Sequence, residues 1–153
     1  MAQTALDGVD GVLAAVGQHL GHSEWLAITQ ERVDQFAEAT DDHQWIHVDP
    51  ERAERESPFG RTIAHGYLTL SLVSSLIAQI VEATGFRMGI NYGADKIRFP
   101  TPVPVGSRIR ASATLDEATP FEGGVQMNLG VTIEVEGQAK PALAASILFR
   151  RYV

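Results

Sequence analysis

The side chains that could perform chemistry are concentrated between positions 41 and 67 of the chain. Asp42 and His47 lie five residues apart in a polar stretch, and this spacing lets a carboxylate and an imidazole converge on one small molecule. Such a pair can deliver and remove protons near neutral pH. The alternative is a turn-capping Asp42 beside a satisfied, partly buried His47, and the spacing by itself leaves both interpretations open.

A metal site is the second chemistry to consider, because His43 and His47 are four residues apart. The zinc-protease form of this pair needs a glutamate directly after the first histidine, and Gln44 holds that position. Pro50 also prevents a long helix here. His65 could provide a third ligand, but nothing in the sequence indicates that it does. We therefore predict no metal ion.

Other catalytic arrangements are disfavoured. Ser71, Ser74 and Ser75 could suggest a Ser–His–Asp hydrolase, but no Gly-x-Ser-x-Gly elbow is present and the order of the residues does not match. The glycines at positions 89–93 lack the spacing of a phosphate-binding loop. The chain contains no cysteine, which excludes thiol nucleophiles and thiolate zinc sites.

Gly66 is the most informative glycine, because it stands at the start of a predicted helix. The free N–H groups of a helix start can point at an anion or a polarised carbonyl, and a glycine allows close approach. An ordinary helix entry is the alternative interpretation.

Helices are expected before residue 86 to position these groups. Thr29 should cap a helix that begins at Gln30, and Asp49, followed by proline, marks another helix start. The outstanding helix candidate runs from residue 66 to residue 83, with Gly85 as its cap. It is apolar on nearly every side, which predicts burial. Residues 5–16 predict a short amphipathic helix, and residues 23–28 a short strand.

Strands are expected after residue 86, because apolar residues then recur with a period of two. These strands begin near residues 88, 109, 125 and 143. The apolar phase slips within the first of them, which predicts a β-bulge near Gly93–Asp95. The connections are too short for parallel crossovers, so the strands should be antiparallel. The pattern predicts an α+β fold in which a sheet wraps around one long helix.

Length and charge limit the classes of protein. The 153 residues predict one domain over positions 1–153, with residues 1–19 as an N-terminal helical extension. The 12 Lys and Arg against 19 Asp and Glu give a net charge of −7, which argues against a nucleic-acid partner. No basic leader or 20-residue apolar segment is present, so we expect a soluble, cytoplasmic protein without a membrane partner.

Three ordered segments resemble one known family. They are residues 36–50 (Phe-Ala-Glu-Ala-Thr-Asp-Asp-His-Gln-Trp-Ile-His-Val-Asp-Pro), residues 62–69 (Thr-Ile-Ala-His-Gly-Tyr-Leu-Thr) and residues 97–107 (Ile-Arg-Phe-Pro-Thr-Pro-Val-Pro-Val-Gly-Ser). Together they resemble the MaoC-like, (R)-specific enoyl-CoA hydratases over about residues 20–153. The resemblance implies the hotdog fold, a central helix wrapped by an antiparallel β-sheet. It also implies a homodimer, because the chain is long enough for one hotdog only.

The resemblance also implies roles for individual residues. Asp42 and His47 match the catalytic pair, and Gly66 matches the glycine whose N–H binds the thioester carbonyl. Ser74 matches a helix serine that supports the pair. Further supporting or substrate-binding positions are His65, Gln44, Asn91, Tyr92, Gly93, Lys96 and Arg98. Lys96 and Arg98, together with Arg108 and Arg110, are candidates for contacts to the CoA phosphates; solvated strand faces are the alternative.

The implied activity is reversible addition of water to a trans-2-enoyl-CoA, giving an (R)-3-hydroxyacyl-CoA in fatty-acid metabolism. This reaction moves protons and water only, so we expect no metal or redox cofactor. The alternatives are a hotdog acyl-CoA thioesterase and a subunit of a heterodimeric dehydratase. The thioesterase commonly carries its carboxylate on the central helix, where this chain has serine and glutamine before Glu82. A silent subunit would need neither Asp42 nor His47.

Overall fold

The structure is a computed structural model that describes residues 2–153, and most of its helices precede its long strands. The helices are α1 (Gly8–Ala14), α2 (Gln30–Thr40), α3 (Trp45–Val48), α4 (Pro50–Glu56), α5 (Gly66–Ser71) and α6 (Val73–Ile80). The strands are β1 (Thr4–Asp7), β2 (His19–His22), β3 (Leu26–Ala27), β4 (Val81–Thr84), β5 (Met88–Arg98), β6 (Arg108–Phe121), β7 (Gly124–Val135) and β8 (Leu143–Tyr152).

The main sheet is antiparallel and has the strand order β2-β6-β7-β8-β5, with β3 pairing beside β2 on β6. Helices α5 and α6 pack across its inner face. They form one continuous helix, because the N–H of Leu72 bonds Leu68 and the carbonyl of Leu72 accepts from Leu76. The α+β arrangement of one helix against an antiparallel sheet agrees with the sequence pattern.

The core fills the space between this helix and the sheet. Alternation places the odd-numbered residues of β6 as far as Leu115, and those of β7, inward, and these are almost fully buried, as Leu115 and Ile133 illustrate. From the helix, Leu76 and Ile80 are buried against them. The prediction of a helix buried on all sides was wrong, because Ser74 and its neighbours form an exposed stripe in the single chain.

The end of the long helix differs from the prediction. The helix stops at Ile80 rather than Ala83, and residues 81–84 form β4, which pairs in parallel with β1. Backbone pairing with a distant segment has replaced the last helical turn here. The N-terminal segment is consequently not wholly helical: Gly8–Ala14 is a helix, as predicted, and β1 and β2 on either side of it are strands.

The predicted helix starts are confirmed where a side chain caps the helix. Thr29 caps α2 by accepting a hydrogen bond from the N–H of Arg32, and Asp49 caps α4 in the same way. The predicted irregularity in β5 is confirmed as two register shifts, one between Asn91 and Gly93 and one following Asp95. The predicted strand over residues 23–28 is reduced to the two residues of β3. No helix in the described part of the chain combines the length and apolarity needed to cross a bilayer.

Candidate active site

Asp42 is carried by the short loop between α2 and α3. Helix α2 ends at Thr40, and Asp41 adopts a left-handed conformation with φ of 59° that turns the chain. The Oδ1 atom of Asp42 accepts a hydrogen bond of 3.4 Å from the N–H of Gln44, the residue that precedes α3. This turn leaves the Asp42 carboxylate exposed at the surface of the site. Gln44 contributes its backbone to the loop, and its side chain is exposed.

His47 lies on α3 and is 7% exposed. Its Nδ1–H donates a hydrogen bond of 2.7 Å to the carbonyl of Ile63. A backbone carbonyl can only accept, so Nδ1 carries the proton of the neutral ring and Nε2 keeps its lone pair. Burial, the largest effect, lowers the pKa of His47 below its ordinary 6.5. The hydrogen bond to Ile63 opposes this shift, His65 adds to it, and Asp42 opposes it least. The neutral base form is therefore favoured.

His65 connects the two candidate catalytic residues. It is 3% exposed, and its ring stacks on His47 with centroids 3.9 Å apart and an interplanar angle of 24°. Its Nε2–H donates a hydrogen bond of 2.9 Å to the backbone carbonyl of Asp42. Phe36 of α2 closes the other side, with its ring centroid at 4.9 Å. The Nδ1 atom of His65 is buried without a partner.

A further anchor was missed from the sequence. The Gln30 side chain donates a hydrogen bond of 2.7 Å to the carbonyl of His47 and accepts one of 2.6 Å from the buried hydroxyl of Thr62. These bonds hold α3 against the start of α2 and the segment that leads to Gly66. Neither residue has a distinctive type or spacing, since glutamine in a first helical turn and threonine in a loop are common. Nothing in the sequence alone could have identified the pair.

Gly66 begins α5, and its N–H has no acceptor among residues 2–153. A Cβ atom at this position would lie 3.2 Å from the ring of Phe99, which explains why a side chain is unfavourable here. Beside it lies a cavity of about 330 Å³ that His47 and Gly66 both line. The apolar walls include Phe59, Ile63, Phe99, Pro102 and Val103. The site thus combines a base and a free N–H donor with an apolar chamber.

The same groups could be considered as metal ligands. One ligand atom each from Asp42, His47 and His65 lie within 4.8 Å of one another. Stacking disfavours a shared ion, because the nitrogen lone pairs lie in the ring planes and two nearly parallel rings cannot both direct them at one ion about 2.0–2.1 Å away. His43 lies outside the cluster and contacts Glu38 at 2.8 Å, which raises the pKa of the imidazole.

The predicted supporting residues further along the chain form a second group. Ser74 of α6 donates a hydrogen bond of 3.3 Å to the side chain of Asn91 in β5, and no hydrogen bond joins Ser74 to Asp42 or His47 among residues 2–153. Tyr92 lies against the guanidinium of Arg150, 3.5 Å from its ring centroid. A cavity of about 360 Å³ between helix and strand is lined by Ser74, Asn91, Tyr92 and Gly93.

The cationic candidates have diverse surroundings. Lys96 lines a surface cavity together with Asp116 and Glu117. Arg98 donates a hydrogen bond of 2.7 Å to the carbonyl of Ile97. The other two arginines are already engaged: Arg108 pairs with Glu136 and Arg110 with Glu134, and both lie near the ring of Trp25.

Comparison with known proteins shows similarity along almost the whole chain. Residues 12–136 match the family described as the MaoC like domain. The 3-hydroxyacyl-thioester dehydratase Z of Mycobacterium tuberculosis is 51% identical over 145 residues, covering 94% of this chain and 95% of that protein.

Solved structures agree with this similarity. A monoamine oxidase regulatory protein from Archaeoglobus superposes with a TM-score of 0.77 at 23% identity, covering 100% of this chain and 99% of that one. An (R)-hydratase from A. caviae involved in PHA biosynthesis superposes with a TM-score of 0.70 at 27% identity, covering 88% of this chain and 94% of that one. The predicted hotdog fold is confirmed.

Proposed function

This chain belongs to the MaoC-like family, and we propose that it is an (R)-specific enoyl-CoA hydratase that adds water reversibly to a trans-2-enoyl-CoA. The product would be an (R)-3-hydroxyacyl-CoA of fatty-acid metabolism. The Mycobacterium tuberculosis relative is named a dehydratase, that is a hydro-lyase, and the same enzyme class fits this chain. The proposal extends that class to a specific thioester, direction and stereochemistry.

One observation carries the proposal: a carboxylate oxygen of Asp42 and a ring nitrogen of His47 lie within 4.8 Å of each other, and His47 lines an apolar cavity. This separation suits a water molecule that bridges two polar groups without their direct contact. Asp42 would accept one hydrogen bond from that water, and the unprotonated Nε2 of His47 would accept the other.

The reaction then follows from these positions. His47 removes a proton from the water while the water oxygen forms the new bond to C3. The electron pair of the double bond moves towards the thioester carbonyl. Asp42 orients the water. One member of the pair returns a proton to C2, which completes the addition. All protons come from the water and return to the product, so the chain's own residues suffice for the chemistry.

Gly66 would stabilise the charge that develops on the thioester oxygen. Its N–H lies at the positive end of α5 and has no competing acceptor among the residues that the structure describes. A preorganised donor of this kind contributes a few kcal/mol to similar reactions, about 2.7–4 kcal/mol for one oxyanion donor. The absence of a Cβ leaves room for the carbonyl to approach.

Positioning roles are proposed for the surrounding residues. His65 would hold the backbone of Asp42 and support the face of His47, while the Gln44 backbone fixes the turn between them. Ser74, Asn91, Tyr92 and Gly93 would line the path of the acyl chain. Lys96 and Arg98 would meet the CoA phosphates, which a chain of net charge −7 must bind through local cations.

The assembly we propose is a homodimer in the cytoplasm. Strand β5 supports it, because this edge strand exposes Met88, Ile90 and Tyr92 and pairs on one side only. An exposed apolar edge strand of 11 residues is a liability unless another chain covers it.

The test is incubation of the purified single chain with crotonyl-CoA. We expect the conjugated enoyl absorbance to fall and chiral analysis to give (R)-3-hydroxybutyryl-CoA. Release of free CoA thiol without hydration would instead identify a thioesterase. Hydration only after a second, different subunit is added would identify half of a heteromeric dehydratase.

A further inference from the structure

Arg151 occupies a position where the sequence pattern calls for an apolar side chain. Inward-facing residues of β8 alternate along the strand, and Leu143 and Ile147 are buried against the core. Two residues after Phe149, the next inward position is Arg151, and both line one cavity beneath α6. A guanidinium therefore ends the apolar inner face of the strand.

This guanidinium has no side-chain partner in the part of the chain that the structure describes. Its Nε atom is buried without a hydrogen bond, and no ion pair or side-chain hydrogen bond engages Arg151 among residues 2–153. By contrast, Arg52, Arg108 and Arg110 each pair with a glutamate. Arg151 as a whole is half-buried, but a buried Nε–H without an acceptor is costly, so this donor is expected to find its acceptor in a ligand.

The neighbouring strand makes room for this cation. Gly89 of β5 is the register partner of Arg151, and a Cβ atom at position 89 would lie 2.7 Å from a terminal guanidinium nitrogen. Any larger residue would displace the guanidinium from its place over the β5 backbone. The absence of a side chain at Gly89 thus leaves room for the Arg151 guanidinium against the β5 backbone.

The cavity suits a ligand that is apolar along its length and polar at its end. Its volume is about 270 Å³. Its apolar lining includes Ile77, Val81, Ile90, Met127, Leu129 and Phe149. Its polar side chains are Ser74, Asn91 and Arg151, of which the first two are bonded to each other. Arg151 is thus the one cationic group in a mostly apolar chamber.

The helix connects this cavity to the catalytic residues. Gly66, Leu70, Ser74 and Ala78 are spaced four residues apart and so share one helical face. They line, in that order, the cavity of His47, the cavity between helix and strand, and the cavity of Arg151. Eight residues separate Gly66 from Ser74, a rise of about 12 Å along a helix. An acyl chain whose thioester carbonyl lies at Gly66 can therefore extend along this face until its end reaches Arg151.

We propose that the preferred substrate is an enoyl thioester whose acyl chain ends in a carboxylate, and that this carboxylate binds Arg151. The inference rests on the proposed hydratase function and names its substrate class. A planar guanidinium presents paired donors that match a carboxylate, and the apolar walls accept the methylene groups between the two ends. An alkyl tail would leave the guanidinium without an acceptor.

The experiment compares two enoyl-CoA substrates of equal chain length, one ending in a carboxylate and one in a methyl group. We expect kcat/KM to favour the carboxylate by about tenfold or more, because hydrogen bonds to charged groups are the strong ones. In Arg151→Leu the ratio of the two kcat/KM values should fall to about one, and in Arg151→Lys it should be intermediate. Arg150→Leu is the matched control: Arg150 is the adjacent residue, bonded to Gln126, and its loss should keep the ratio.

Three results would overturn the inference. They are a wild-type enzyme that prefers the methyl end, an Arg151→Leu variant that loses the same factor on both substrates, and a variant that dissociates into monomers. An equal loss on both substrates would mean that Arg151 binds the CoA phosphates. Dissociation into monomers would mean that Arg151 contacts the partner subunit. Calorimetric binding of the two saturated acyl-CoA analogues tests the carboxylate preference separately from the hydratase function. A preference for the carboxylate would persist even if the chain hydrated no substrate at all.

Discussion

At the scale of single residues, the role of His47 is set by the bond that its other nitrogen makes. Donation from Nδ1–H to the Ile63 carbonyl leaves Nε2 as the basic atom, and burial keeps the ring neutral. Asp42 is exposed and bound to the Gln44 backbone, which suits a group that orients water. The different surroundings of the two side chains therefore suit His47 to act as the base and Asp42 to orient the water.

The first prediction concerns pH. Because the pKa of His47 in the folded protein is lowered from 6.5, the neutral base persists below pH 6.5, and kcat/KM should fall only as pH drops through that lowered value. The profile of crotonyl-CoA hydration against pH checks this. His43→Gln is a matched control, because His43 is an exposed histidine bonded to Glu38, and it should leave the acid limb in place. An acid limb centred above 6.5 would contradict the role of His47.

Residue types and spacing indicated that Asp42 and His47 could converge, and an oxygen of the one lies within 4.8 Å of a ring nitrogen of the other. Their catalytic roles and that of Gly66 came from the family resemblance and stay predictions. The sequence did not predict how these residues are held. The Gln30–Thr62 bond and the unpaired Arg151 depend on contacts between segments 30 or more residues apart, and no local pattern encodes them. Ser74 was expected beside the catalytic pair, and in the chain it bonds to Asn91 instead.

At the scale of elements, the start of α5 matters most, because it provides the free N–H of Gly66 and lies against Phe99. Gly66→Ala keeps the N–H but adds a Cβ atom where the thioester carbonyl must approach. We expect kcat to fall about 100-fold, the effect of a misplacement of about 1 Å in a reacting complex. Steady-state kinetics with crotonyl-CoA gives the measurement.

A double variant distinguishes this effect from a packing defect. If the added Cβ acts only by pushing the Phe99 ring, Gly66→Ala combined with Phe99→Leu should recover the rate of Phe99→Leu alone. We expect no such recovery. Full recovery would remove Gly66 from the mechanism and leave it as a residue needed for packing.

Elements differed in how well the sequence predicted them. Helix α2 and the strands from β5 to β8 were predicted because caps and alternation are local signals. The last turn of the long helix was not, since Val81–Thr84 has apolar and helix-compatible residues whose conformation is decided by pairing with β1. A parallel partner more than 70 residues away leaves no trace in the local pattern.

At the scale of the whole molecule, the single chain leaves β5 unpaired along one edge, with large apolar side chains exposed. We expect a dimer of two 16.6 kDa chains in solution. Ile90→Asp should weaken it, because a two-fold axis brings both copies of the new charge to one interface. Val16→Asp is the matched control, since Val16 is 42% exposed against 41% for Ile90 and lies outside β5. Light scattering after gel filtration gives the masses, and a monomeric wild-type chain would contradict the expectation.

The central claim is that Asp42 and His47 together activate water for addition to an enoyl thioester. The most direct measurement is kcat for crotonyl-CoA hydration by Asp42→Asn and His47→Gln, each with its folded state checked by circular dichroism. We predict that both variants fold and lose about 10²–10⁴-fold in kcat, the contribution typical of positioned acid and base groups. A folded variant of either residue that hydrates crotonyl-CoA at close to the wild-type rate would contradict the claim.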